Sequence, residues 1–156
     1  MKTNVVDVGD PAPGFDALDQ HGQRARLTDL RGRWVVLYFY PKDETRGCTA
    51  QACAFRDRLS ELSTLDAQVF GVSTDSVESH RDFARRHALP FGLLADPSGD
   101  LCRAYDALGL LGYAKRVTFV VDPEGVVRGV HRSEIDPAGH VEWARRTVDE
   151  LRLRLA

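Results

Sequence analysis

The sequence predicts an α/β domain in which a mixed central sheet carries helices on both faces. The run "WVVLYFY" at residues 34–40 is nearly all apolar and rich in β-branched and aromatic residues, the signature of a strand buried on both faces of a parallel sheet. Strand-like and helix-like stretches then alternate as far as Leu94, which calls for parallel strands joined by right-handed crossovers. Finally, "KRVTFVVDPEGVVRGVHR" alternates apolar residues on both sides of the turn Asp122 to Gly125, the pattern of an antiparallel hairpin.

Each element follows in order. "GDPAPGF" (9–15) is an extended lead-in rich in Pro and Gly. "FDAL" and "RARL" flank the turn residues Asp19 to Gly22 and predict a short hairpin. After the buried strand, residues 49–65 read as a helix, because Ala52, Phe55, Leu59 and Leu62 recur at spacings of three and four. "AQVFGVST" (67–74) is a second strand and "SVESHRDFARRHAL" (76–89) a second helix, with Ser76 as its N-cap but no capping box, since Ser79 and not Glu follows three positions on. A short strand near Phe91 to Leu94 precedes the turn "ADPSGD" and a helical piece through Asp106. After the closing hairpin, Val141, Ala144, Val148, Leu151 and Leu155 mark an amphipathic C-terminal helix. The order suits a thioredoxin-like fold, which periodicity alone does not single out.

The chain has 156 residues, enough for one domain with one core. With 43% hydrophobic and 28% charged residues it has a globular composition. A net charge of −2 gives no reason to expect nucleic acid or anionic membrane as partner. The start, "MKTNVVDVGDPAPGF", lacks the apolar core and cleavage site of a targeting leader, and residues 34–40 are too few to span a bilayer. A cytoplasmic protein is expected, and three cysteines there point to chemistry, metal or packing in preference to a disulfide framework.

Cys48 and Cys53 hold the chemical interest. Pro41 stops the buried strand, and the turn "KDETRG" delivers Cys48 to the start of a helix, outside the carboxyl end of a strand where α/β proteins bind ligands. Unpaired N–H groups and the helix dipole favour an anion there, and so favour a thiolate. Thr45 is placed to donate to that thiolate or to an incoming oxygen, and Arg46 adds a cation nearby. Cys53 is rotated from Cys48 by roughly 140° on an ideal helix, with the two Cα atoms roughly 8–9 Å apart. Disulfides rarely tolerate more than about 7 Å between Cα atoms, so a bond between the two requires that helix to unwind locally. A zinc site fits poorly: Cys-x4-Cys is wide, and none of the five histidines lies close in sequence. Cys102, at the margin of a small apolar face with Leu101, Tyr105 and Leu108, reads as structural.

"PKDETRGC" resembles the peroxiredoxin motif Pro-x-x-x-Thr-x-x-Cys, carried here by Pro41, Thr45 and Cys48. "CTAQACAFRDRLSEL", with its second cysteine five residues on, is similar to the bacterioferritin comigratory protein or peroxiredoxin Q class. "RVTFVVDPEGVV" resembles the family's later strand, with Arg116 before it, and the likeness runs over nearly the whole chain. The resemblance implies a thioredoxin-like fold and a thiol peroxidase acting on hydrogen peroxide and organic hydroperoxides. Cys48 would attack the peroxide and become a sulfenic acid, Thr45 and Arg116 would bind the peroxide oxygens, and Pro41 would shield the thiolate. Cys53 would resolve the sulfenic acid as a disulfide within one subunit, which a thioredoxin-type dithiol would reduce. The resemblance implies no metal and no organic cofactor, and a monomer with a weak dimer as the alternative. Gln51 stands where the class often carries an acid. Two other readings are a protein thiol–disulfide oxidoreductase, whose usual Cys-x-x-Cys is missing, and a non-enzymatic holdase, which no feature of the sequence favours.

Overall fold

The computed structural model describes residues 6–155. Residues 1–5, the start of the stretch read for a leader, lie outside the described residues with Ala156 and the side chain of Leu155. The N-terminal hairpin is β1 (Asp16–Leu18) with β2 (Arg24–Arg26), and Asp19 shapes its turn by accepting the N–H groups of His21 and Gln23. The remaining strands are β3 (Trp34–Phe39), β4 (Ala67–Ser73), β5 (Gly92–Ala95), β6 (Val117–Val121) and β7 (Val127–Arg132). They form one sheet in the order β2-β1-β5-β4-β3-β6-β7. The three adjacent strands β5, β4 and β3 run parallel, and the flanking pairs are antiparallel. The mixed sheet is thus as expected.

Every residue of β3 is buried, because alternate side chains feed two different cores. Trp34, Val36, Tyr38 and Tyr40 face the helices α1 (Arg46–Asp57), α2 (Leu59–Thr64), α3 (Val77–Arg86) and α5 (Gly139–Leu155). Val35, Leu37 and Phe39 face the short helix α4 (Asp100–Ala104), the lead-in and the loops beside it. Helices do lie on both faces, but unequally. The crossovers β3–α1–β4 and β4–α3–β5 step in one direction, and right-handedness then keeps their helices on the same side. Phe55 of α1 stacks on Tyr38 with ring centroids 4.5 Å apart, and its full burial contributes about 1.5–3 kcal/mol. A Cβ on Gly71 of β4 would lie 2.8 Å from the Tyr38 ring, so only glycine lets that ring cross the strand.

The helix expected over 49–65 differs in two ways. It begins at Arg46, and Arg58, at φ −114° and ψ 13°, breaks it into α1 and α2. The apolar stripe continues across the break, which is why periodicity does not register it. Arg58 reaches Glu142 of α5 at 2.5 Å and Glu61 at 2.8 Å, while Arg56 donates to the His87 carbonyl after α3 at 2.7 Å. Hydrogen bonds from Arg145 and Arg58 push the Glu142 carboxyl down to about 2. The far end of α1 is therefore moored to two neighbouring helices. Ser76 caps α3 as expected, accepting the Ser79 N–H at 3.1 Å.

Candidate active site

The last ladder bond on this edge runs from Tyr40 N–H to the Val72 carbonyl at 3.0 Å, and Pro41, with no N–H to offer, turns the chain out of the sheet. The loop then passes through Glu44, whose φ of 66° is left-handed, to Thr45, the extended residue that caps α1. Because the helix starts at Arg46, Cys48 lies within its first turn, among the N–H groups that lack helical acceptors. It is 1% exposed.

Arg116 reaches this turn through strand register. Val117 pairs with Phe39, so Arg116 sits one residue past the end of β3, beside the loop that Pro41 begins. Its Nη2 donates to Cys48 Sγ at 3.4 Å and its Nη1 to Gln51 Oε1 at 2.5 Å. Glu134 fixes it from the other side, accepting the Arg116 backbone N–H at 2.7 Å and lying 3.7 Å from Nε. The guanidinium is thus held almost out of solvent, 7% exposed, with one prong on the sulfur. In such a setting its charge favours negative charge that develops beside it. Gly47 eases the approach, since a Cβ there would meet Nη2 at 3.2 Å and the guanidinium would have to give by a few tenths of an ångström.

Thr45 is placed differently from expectation. Its hydroxyl donates to the Lys42 carbonyl at 2.8 Å and so has no proton to give Cys48. What it offers is the oxygen's lone pairs. Pro41 is half-buried at the exit of β3. Cys53 is half-buried on the same helix, and α1 is wound through both cysteines, which are free thiols. Cys102 is fully buried in the core across the sheet from Cys48. Burial and the nearby Asp96 carboxylate push its thiol well up, so it stays protonated. Burial and the negative field of Asp43 and Cys48 likewise keep the Tyr38 phenol neutral.

Reading the sequence missed the parts played by Gln51, Gly47 and Glu134. A glycine in the first turn of a helix was a legible hint, while Glu134 carries no local mark. Asp43, Asp75 and His80 bring ligand-type atoms within 4.8 Å of one another, and these atoms are hydrogen-bonded among themselves and to Ser73 and Ser79.

Residues 8–130 match the AhpC/TSA family model. Among curated proteins, the chain is 39% identical over 154 residues to peroxiredoxin Bcp of Bacillus subtilis, covering 94% of this chain and 98% of that one. It is 39% identical over 151 residues to the chloroplastic peroxiredoxin Q of Sedum lineare, covering 94% of this chain and 80% of that one. Among solved structures, peroxidoxin BcpB from Mycobacterium tuberculosis superposes with a TM-score of 0.88 at 36% identity, covering 94% and 98% of the two chains. The bacterioferritin comigratory protein of Xanthomonas campestris, described by its alkyl peroxide reduction activity, superposes with a TM-score of 0.82 at 33% identity, covering 88% and 91%. The buried cysteine in a first helical turn, the arginine on its sulfur and these likenesses agree: the chain belongs to the AhpC/TSA family, among its peroxiredoxin Q and Bcp thiol peroxidases.

Proposed function

We propose that Cys48 is the nucleophile of this peroxidase and Cys53 its resolving partner. The Cys48 thiolate attacks the terminal oxygen of ROOH, the O–O bond breaks, and the leaving RO⁻ takes a proton to become ROH while Cys48 becomes a sulfenic acid. The Cys53 thiol then displaces that hydroxyl as water and forms the disulfide. A thioredoxin-type dithiol reduces it, being oxidised itself. The observation that carries the reading is the Arg116 guanidinium on Cys48 Sγ in the first turn of α1. Arg116 stabilises the thiolate and the charge that grows on the leaving oxygen. Thr45, its proton engaged by Lys42, accepts a hydrogen bond from the hydroperoxide O–H. Pro41 walls the site from water.

Hydrogen peroxide and organic hydroperoxides are both substrates in this reading, the second class supported by the alkyl peroxide activity of the similar Xanthomonas protein. The whole chain acts as one domain in the cytoplasm, a monomer with a weak dimer as the alternative. No helix among the described residues is long and apolar enough to cross a membrane. The test is peroxide consumption with thioredoxin and its reductase. Cys48→Ser is expected to abolish it. Cys53→Ser is expected to retain one round of peroxide reduction and lose turnover. Full activity in Cys48→Ser would overturn the assignment.

A further inference from the structure

We propose that Asp43 and His80 are positioning residues for this reaction: a buried pair that holds the loop between β3 and α1 in place, so that loosening it exchanges peroxide reactivity for disulfide formation. The inference rests on the roles of Cys48 and Cys53 given above.

Asp43 is 4% exposed and His80 0%. His80 Nε2 lies 3.0 Å from the Leu94 carbonyl, which only accepts, so Nε2 carries a proton. Nδ1 lies 2.7 Å from Asp43 Oδ2, so the imidazole and the carboxyl group are hydrogen-bonded to each other. The same carboxyl accepts the Tyr40 hydroxyl at 2.6 Å and the Ser79 hydroxyl at 2.8 Å. The Asp43 N–H donates to Asp75 Oδ2 at 2.8 Å, and Ser73 donates its hydroxyl to that oxygen at 2.6 Å. Tyr40, just past β3, and Ser79 and His80 at the start of α3 bond the Asp43 side chain directly, while Ser73 of β4 reaches this loop residue through Asp75 and the Leu94 carbonyl of β5 through His80. The hydroxyls and N–H groups aimed at both carboxylates make this a hydrogen-bond cluster in its own right.

The next residue is tied to the same helix. Glu44 holds a left-handed conformation that non-glycine residues rarely adopt, while its carboxylate pairs with Arg86 and with His87 Nε2 at 3.0 Å. Such a backbone persists where its surroundings over-determine it. The consequence falls on α1. Thr45 hangs on Lys42 by its hydroxyl, and the Thr45 carbonyl accepts the Thr49 N–H at 2.8 Å, so the first turn is wound on this loop. Peroxide meets Cys48 in the wound helix against Arg116, whereas Cys53 reaches Cys48 only when the turn opens.

The experiment measures two rates in wild type and Asp43→Asn: loss of the Cys48 thiol to hydrogen peroxide, and formation of the Cys48–Cys53 disulfide afterwards, both by rapid quench and mass spectrometry. The expected result is a first step at least tenfold slower and a disulfide step severalfold faster, in protein whose circular dichroism matches wild type. Both rates unchanged, or falling in the same proportion, would overturn the proposal, because a merely structural pair does not move the two in opposite directions. Should Asp43→Asn fail to fold, Ser79→Ala, which removes one donor to the same carboxylate, decides by the same criterion with smaller shifts. If wild-type Cys48 itself does not react with peroxide, the reading of the site fails instead, which the wild-type arm reveals directly.

Discussion

Ala50 offers a way to perturb the opening of α1 without touching the chemistry. It lies in α1 between Cys48 and Cys53, and its side chain is exposed, so Ala50→Gly removes a methyl group and leaves no cavity. Glycine within a helix costs about 0.8–1.0 kcal/mol relative to alanine. In the opened state, where residue 50 is no longer helical, that cost disappears. The wound-to-open equilibrium therefore shifts toward open by the same amount, about four- to fivefold at ~1.4 kcal/mol per factor of ten. With opening as a pre-equilibrium to condensation, the Cys48–Cys53 disulfide should form about four- to fivefold faster. Over-oxidation of Cys48 by a second peroxide should need about four to five times more peroxide, since the sulfenic acid is consumed that much sooner. The first reaction with peroxide should stay nearly unchanged, because most molecules remain wound. The assay is rapid quench after one equivalent of hydrogen peroxide, with intact-mass and peptide-level detection. A disulfide rate equal to wild type, in a variant whose melting temperature has fallen by roughly 2–4 °C for the ~1 kcal/mol lost, would show that unwinding of this helix does not control resolution.

Three further outcomes follow from the geometry. Arg116→Gln should lower kcat/KM for peroxide by ~10²–10³, the loss typical of removing one preorganised donor to developing charge, and an effect below threefold in steady-state kinetics would discount the contact with Cys48. Cys102 should resist iodoacetamide at pH 8 in folded protein and stay outside every peroxide-induced disulfide, as peptide mapping checks. Burial holds His140 below its ordinary value of 6.5, with Nδ1 accepting from Thr118 and Nε2 donating to the Ser133 carbonyl. The unfolded chain binds that proton first, so stability should be full above about pH 6.5 and decline as pH falls below it. Urea midpoints from pH 5 to 8 should show this slope in wild type and a shallower one in His140→Gln, and equal slopes would refute it.

How much of this was legible in the sequence depended on how local the cause was. The buried strand, the turn at Pro41 and the first-turn position of Cys48 all follow from neighbours within a few residues. The break at Arg58 did not, because the apolar stripe runs straight through it and only the ties to Glu142 and Glu61 show the bend. Arg116 could be named by resemblance, yet its grip on Gln51, 65 residues away, exists only through the register of β6 on β3. Thr45 was given a proton to donate, and the Lys42 carbonyl takes it. His80 lay in a helical stretch with nothing nearby to mark its bond to Asp43, 37 residues back.

The mooring of α1 at Arg56 and Arg58 has a kinetic consequence. When the first turns open, the freed chain is a short tether, pinned on one side at the far end of α1 and on the other by the loop after β3. Short tethers hold their ends at effective concentrations on the order of millimolar. Cys53 thus competes for the sulfenic acid as though it were a millimolar reagent that never diffuses away. Because Cys53 reaches Cys48 only in the open fraction, that concentration is scaled down by the share of molecules that are open, and a thiol or peroxide in solution must exceed the scaled value, at equal reactivity, to reach Cys48 first.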